Sequence, residues 1–229
     1  MYTTLLFDLD DTLLDFKAAE KQALSSLFRE LRLPLTQTIQ QRYATLNTGL
    51  WQEYELGKIT RETLLKTRFT LLFKQLDQKI DGVACEKRYR SYLSKGHALV
   101  PHASEICGIL KQDFHLEVAT NGIAKMQLQR LADSGLDNYF ERVFVSEEAG
   151  FQKPQLEFFN YIAQELPYFE KERTLIIGDS LTSDIAGGNR FGIDTCWFNP
   201  NLVTNQTSTT PTFQIRQLPD LIKLLGQQK

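Results

Sequence analysis

LLFDLDDTLLDF, residues 5–16, places three carboxylates, Asp8, Asp10 and Asp11, directly behind an apolar run. An isolated ionised carboxylate in apolar surroundings is costly unless it meets a cation, a donor or water. Residues 4–7 read as a short buried strand, so the acids at its end must face solvent, a metal or something bound. From Phe16 the period changes. Phe16, Ala19, Ala23, Leu24, Leu27, Phe28 and Leu31 recur at helical spacing, and helical patterns continue over 38–56, 60–76 and 84–93 with little strand signal between them. Thr60, followed by Glu62 in the first turn, is a helix start.

After Val100-Pro101 the pattern alternates. Residues 103–111 read as a helix, HLEVAT (115–120) as a buried strand, 125–134 as a helix stopped by Gly135, and RVFVS (142–146) as a strand. Residues 156–166 are helical, TLIIG (174–178) is a strand, 184–191 is a helix, and TCWF (195–198) is the last strand. The polar stretch 199–212 is a loop before a short final helix. Strands alternating with helices of this length predict an α/β fold, a Rossmann-like parallel sheet flanked by helices on both faces. The block 16–98 is then an all-helical domain inserted between the first two strands, and 1–15 with 99–229 form the α/β core.

Parallel sheets of this kind gather ligands at the carboxyl ends of their strands. Asp8 and Asp10 follow the first strand, Thr120-Asn121-Gly122 the second, and Asp179-Ser180 the TLIIG strand, with Asp184 at the next helix start. Lys153-Pro154 lies between them in SEEAGFQKP. Each alone has a dull explanation as turn chemistry or a helix cap. Together, each at the ligand-binding end of its element, they predict one site. Asp8, Asp10 and Asp179 offer hard oxygen ligands suited to Mg²⁺. Thr120 and Asn121 are short donors for phosphoryl oxygens, and Lys153 is a point charge that neutralises both a carboxylate and a transferring group. Phosphoryl transfer asks for little beyond positioning and charge stabilisation, and a carboxylate can itself be the nucleophile.

The motifs Asp8-Leu-Asp10-Asp-Thr12, Thr120-Asn121-Gly122, Lys153-Pro154 and Gly178-Asp179-Ser180 with Asp184 resemble, in order, those of the haloacid dehalogenase superfamily of aspartate-nucleophile phosphohydrolases. The resemblance implies that Asp8 is the nucleophile, Asp10 the general acid and base, and Thr12 the residue that orients Asp10. It implies that Thr120, Asn121 and Lys153 hold the phosphoryl group. Mg²⁺ would sit on the Asp8 carboxylate, the Asp10 backbone carbonyl and Asp179, with Asp184 acting directly or through water. The helical insertion resembles that family's type-one cap. Asp11 and Asp15 match no catalytic position, and read as a polar turn residue and a solvent-facing or helix-start residue. The second acid, Asp10, favours a phosphatase over a dehalogenase, whose reaction has no leaving alkoxide to protonate.

A finer resemblance, carried by LWQEYELGKITRETLLKTRF, by TNGIAKMQLQRLADSGLDNYFERVFVSEEAGFQKP and by GDSLTSDIAGGNRFGIDTCWFNP, is to the bacterial pyrimidine 5′-nucleotidase branch. It implies hydrolysis of UMP, dUMP, dTMP and related monophosphates. The alternatives are a phosphatase for another small ester (a phosphosugar, phosphoglycolate or flavin mononucleotide) and a non-catalytic binding module on the same fold. Trp51, Tyr54, Arg61 and Arg68 could line a nucleotide, but packing of the aromatics and ion pairing of the arginines explain them more simply.

The remaining features bound the partners. A chain of 229 residues buries roughly 70% of its unfolded surface without staples. With 42% hydrophobic and 24% charged residues and a formal net charge of −2, nothing calls for a nucleic-acid polymer or a membrane as partner. Cys85, Cys107 and Cys196 form no CxxC pair, and His97, His102 and His115 lack ligand spacing. The short, acid-interrupted first apolar run reads as a buried strand rather than as a signal peptide. These features predict a cytoplasmic protein, a monomer or homodimer, whose partner is a small phosphate ester.

Overall fold

The computed structural model describes residues 1–226. In chain order, β1 (Thr4–Phe7) is followed by the helices α1 (Phe16–Glu30), α2 (Gln37–Glu55), α3 (Arg61–Gln75), α4 (Gly82–Leu93) and α5 (Ala103–Leu110). Then come β2 (His115–Thr120), α6 (Ala124–Asp133), β3 (Arg142–Val145), α7 (Ser146–Ala149), α8 (Leu156–Glu165) and β4 (Thr174–Gly178). The chain continues through α9 (Ala186–Phe191), β5 (Asp194–Phe198), β6 (Phe213–Ile215) and α10 (Asp220–Gly226). Two compact units result: Met1–Phe16 with the chain from His97 onward, and Lys17–Gly96.

In the first unit, six strands among the described residues form one parallel sheet in the order β3-β2-β1-β4-β5-β6. Strand side chains alternate between faces. Leu5, Phe7, Leu116, Val118, Leu175 and Ile177 therefore share one hydrophobic cluster with Ile106 and Leu110 of α5, Leu131 of α6 and Leu221 of α10. Leu6, Ala119 and Ile176 point the other way, onto Phe158, Phe159 and Ile162 of α8 and Phe191 of α9. Both faces are covered, as the continuous apolar strands predict. Phe7 pairs with Val118 and with Ile177, so β1, β2 and β4 run in register. The strand order reverses at β1 and β4, where such sheets open a crevice.

Two expectations need correction. TCWF is not in the last strand, because Phe213–Ile215 adds β6 beside β5 in parallel. Three residues behind a long polar loop carry too little alternation to be read as a strand. The unit boundaries also shift by one and two residues from 15/16 and 98/99. Asp15 N donates to Ala98 O at 2.8 Å and Val100 N to Leu13 O at 2.9 Å, which zips both connecting segments onto the core.

The second unit packs four helices through aromatic contacts. Tyr43 stacks on Phe69 at 5.5 Å, Phe69 meets Tyr89 at 5.1 Å, and Phe28 meets Phe73 at 6.0 Å. The Thr36, Thr60 and Asp81 side chains accept the first free backbone N–H groups of α2, α3 and α4. No helix among the described residues is long and apolar enough to cross a membrane.

Candidate active site

β1 ends at Phe7, and Asp8 continues its ladder one step, donating its backbone N–H to Ile177 O at 2.9 Å. The Asp8 side chain thus emerges between β2 and β4. Lys153, from the segment between α7 and α8, is fully buried and has all three ammonium protons placed. It donates to Asp8 Oδ1 at 2.7 Å, to Asp184 Oδ1 at 2.7 Å and to Ala119 O at 2.5 Å. Burial opposes the lysine's charge, but Asp184 and Asp8 outweigh it and hold its pKa above the ordinary value. Burial is also the largest influence on Asp8, raising its pKa. Lys153 pulls it down and Asp184 pushes it up again, leaving Asp8 well above the usual carboxylate range.

Asp184 reaches this cluster through a local device. It sits not at a regular helix start, as its spacing predicts, but inside a π-helical turn, Leu181–Ile185, that precedes α9. Both Asp184 N and Ile185 N donate to Ser180 O at 3.1 Å, and the wider turn carries the carboxylate back to the strand end. Its Oδ2 accepts from Ser180 N at 3.0 Å. A Cβ on Gly178 would lie 2.1 Å from Asp184 Oδ2, so only glycine lets the acid approach β4 this closely. Asp179, half-buried, accepts Trp197 Nε1 on its carbonyl at 2.8 Å. Asp8, Asp179 and Asp184 each bring a carboxylate oxygen within 4.8 Å of the others. Three carboxylates face one ammonium, a negative excess that suits a hard divalent cation such as Mg²⁺.

The Thr120-Asn121-Gly122 turn lies beside them. Asn121 clasps the Lys153 backbone twice, donating Nδ2–H to Lys153 O and accepting Lys153 N–H on Oδ1, both at 2.9 Å. It thereby splints this turn to the lysine segment. Asp11 takes a left-handed φ of 60° in the turn after Asp10, consistent with a turn residue, and Asp15 directly precedes α1.

Thr12 departs from expectation. Its hydroxyl donates to Asp8 Oδ2 at 3.4 Å rather than to Asp10, because Leu13 N and Leu14 N fold back onto Leu9 O and bring residue 12 beside residue 8. Asp10 is held by two residues that motif reading missed. Arg130 Nη1 donates to Asp10 Oδ1 at 2.5 Å, and Gln127 Nε2 donates to Oδ2 at 2.8 Å. Both sit on α6 and both are fully buried, whereas Leu128 between them is 46% exposed. A polar pair occupying the buried stripe of a helix is the signal that could have found them.

Among the residues named from sequence, Asp8, Lys153, Asp179 and Asp184 form one contiguous cluster, with Thr120 and Asn121 adjoining. Asp10 joins them through Gln127, which also touches Thr120. Arg68 and Tyr54 find partners within the helical unit: Arg68 pairs with Glu86 at 2.7 Å, and Arg61 Nη2 donates to the Tyr54 hydroxyl at 2.7 Å.

Residues 2–192 match a family model described as a haloacid dehalogenase-like hydrolase. The chain is 48% identical to the HAD-hydrolase YfnB of Bacillus subtilis (strain 168), over 98% of this chain and 96% of the relative. It is 44% identical to the pyrimidine 5′-nucleotidase PynA of Streptococcus pneumoniae (strain ATCC BAA-255 / R6), over 99% of this chain and 96% of the relative. A crystal structure of B. subtilis YfnB bound to magnesium superposes with a TM-score of 0.94 over 98% of both chains.

Proposed function

The chain belongs to the haloacid dehalogenase-like hydrolases, and we propose that it is a Mg²⁺-dependent phosphomonoesterase acting on pyrimidine nucleoside 5′-monophosphates such as UMP, dUMP and dTMP. The observation that carries the chemistry is the buried Lys153 ammonium, bonded at once to Asp8 and Asp184 beside a third carboxylate. The substrate class rests on the likeness to PynA.

The step order follows from the side chains. An Asp8 oxygen attacks phosphorus as the bond to the nucleoside 5′-oxygen breaks, and Asp10 delivers its proton to that oxygen. Water then attacks the aspartyl phosphate, Asp10 takes its proton, and Asp8 and phosphate are freed. Lys153 offsets the charge on Asp8 and on the transferring group throughout. Thr120 and Asn121 hold the phosphoryl oxygens, and Thr12 steadies Asp8. Asp8, Asp179, Asp184 and the Asp10 carbonyl would hold Mg²⁺, which supplies charge neutralisation to the phosphoryl oxygens when bound. We read residues 17–96 as the cap domain and the remainder as the catalytic core. The three free cysteines, all buried, accord with a reducing compartment such as the cytoplasm.

The test is phosphate release from dUMP, dTMP, UMP, dAMP, phosphoglycolate, glucose 6-phosphate and para-nitrophenyl phosphate, each with Mg²⁺ and with EDTA. Metal-dependent release that favours the pyrimidine monophosphates is the expected result. Preference for another ester would keep the chemistry and overturn the substrate; no release from any ester would overturn both.

A further inference from the structure

Gln127 and Arg130 form a closed arrangement with Asp10 that the reaction as written leaves unexplained. Arg130 Nη1 donates to Asp10 Oδ1 at 2.5 Å and to Gln127 Oε1 at 3.0 Å. Gln127 Nε2 donates to Asp10 Oδ2 at 2.8 Å and to Thr120 Oγ1 at 3.0 Å. The guanidinium on Oε1 decides which way the amide faces, since the reverse orientation would turn Oε1 against the Asp10 carboxylate. Thr120 Oγ1 also accepts Gly122 N–H at 3.1 Å. Both acceptor positions of this hydroxyl are thus filled, and what it retains is its own O–H. The Asp10 side chain stays 27% exposed while that of Arg130 is fully buried, so the acid keeps an open edge on a closed support.

We infer that Gln127 and Arg130 are positioning residues: Gln127 makes the Thr120 hydroxyl a committed donor, and the two together fix the Asp10 carboxyl in one orientation. Thr120 then donates its O–H in a hydrogen bond to a phosphoryl oxygen, and Asp10 transfers its proton to the departing ester oxygen from a fixed place. Gly122 belongs to the same device. A Cβ there would stand 2.4 Å from Gln127 Cγ, Cδ and Nε2, and a side chain pinned by these hydrogen bonds cannot yield without breaking them. This inference rests on the phosphomonoesterase reading above.

The test compares wild type, Gln127→Met and Gly122→Ala on dUMP and on para-nitrophenyl phosphate, with circular dichroism to check folding. Gly122→Ala displaces Gln127 while removing no polar group, so the inference stays testable should Gln127→Met fail to fold. The quantity of interest is kcat/KM, which reports formation of the phosphoenzyme. An aryl oxide leaves without a proton, whereas the nucleoside 5′-oxygen needs one. Both variants should lose about 10- to 100-fold on dUMP, with KM moving less than about threefold, and the dUMP-to-aryl ratio of kcat/KM should fall about tenfold. Loss in equal proportion on both esters, or loss confined to KM, would overturn the inference while leaving the proposed function intact. A wild-type protein inactive on both esters would instead overturn that function, and the inference with it.

Discussion

Arg68 in the helical unit and Lys153 in the α/β unit are both buried cations, and they are balanced differently. In the helical unit, Arg68 meets Glu86 through two hydrogen bonds, Nε to Oε2 at 2.7 Å and Nη2 to Oε1 at 2.8 Å. It also donates Nη1 to Asn47 Oδ1 at 3.0 Å and lies over the Tyr89 ring at 4.7 Å. One buried cation closes on one buried carboxylate within an aromatic box, and the carboxylate also meets the partly exposed Arg90, whose Nε lies 3.4 Å from Glu86 Oε1. In the α/β unit, Lys153 is buried as completely but faces Asp8 and Asp184 together, with Asp179 near them. The charges there do not cancel, and burial, opposed by Lys153 and reinforced by Asp184, holds Asp8 well above its usual range. Burial of a charge is common to both units. Imbalance distinguishes the candidate site, because an unbalanced cluster is complete only with something bound.

Asp8→Asn should break the comparison hardest. Phosphate release should drop by about 10⁴-fold or more, the scale on which losing a nucleophile acts. The melting temperature of the metal-free protein should hold or rise, since one of two crowded carboxylates is gone while Lys153 keeps Asp184. A sharp loss of stability would mean that Asp8 is structural.

Arg68→Ala should do the reverse. Leaving Glu86 buried without its main partner costs about 3–5 kcal/mol, or a melting temperature lower by roughly 6–20 °C for a chain of this size. Turnover per folded molecule should stay within about twofold of wild type. Pairing Arg68→Met with Glu86→Leu should recover most of that stability, because replacing both ions of a buried pair by apolar groups is often neutral. If Arg68→Ala abolished turnover with melting unchanged, the arginine would be a substrate ligand and the contrast between the units would fall.

The smallest effect concerns Glu117, another buried ionisable residue, at the middle of β2. Its oxygens accept the Tyr168 hydroxyl at 2.5 Å and Arg142 N–H at 2.7 Å, yet burial raises its pKa from 4.5 to about 7. The folded chain therefore holds this proton more tightly than the unfolded one, and stability should fall as pH rises between about 4.5 and 7 and then level off. Urea midpoints across that window should slope less steeply in Glu117→Gln than in wild type. Identical slopes would show that Glu117 ionises normally.

Much of this was legible in the residues. The change of period at Phe16 and the return to alternation after Val100-Pro101 mark the helical insertion, because side-chain periodicity is local and survives any packing. The polar residues after β1, β2 and β4 identify themselves for a related reason. Carboxylates, a threonine and glycines at the ends of buried strands have few explanations besides a ligand.

What α6 does was not legible. Gln127 and Arg130 lie 117 and 120 residues from Asp10, and the pattern KMQLQRL shows Leu128 as readily as Gln127 as the buried side. Nor does sequence spacing reveal the π-helical turn that returns Asp184, the fold-back that gives Thr12 to Asp8, or the pairing of β6. The sequence by itself determined the strand–helix order, the helical insertion, the acids and threonine at the strand ends and the lysine beyond the third strand, since short-range periodicity and turn chemistry specify them. Only the tertiary structure decided which donors hold Asp10, how Asp184 reaches Lys153 and that Arg68 is closed on Glu86. Those outcomes depend on which distant side chains packing brings within hydrogen-bonding distance, and no local pattern encodes a distance.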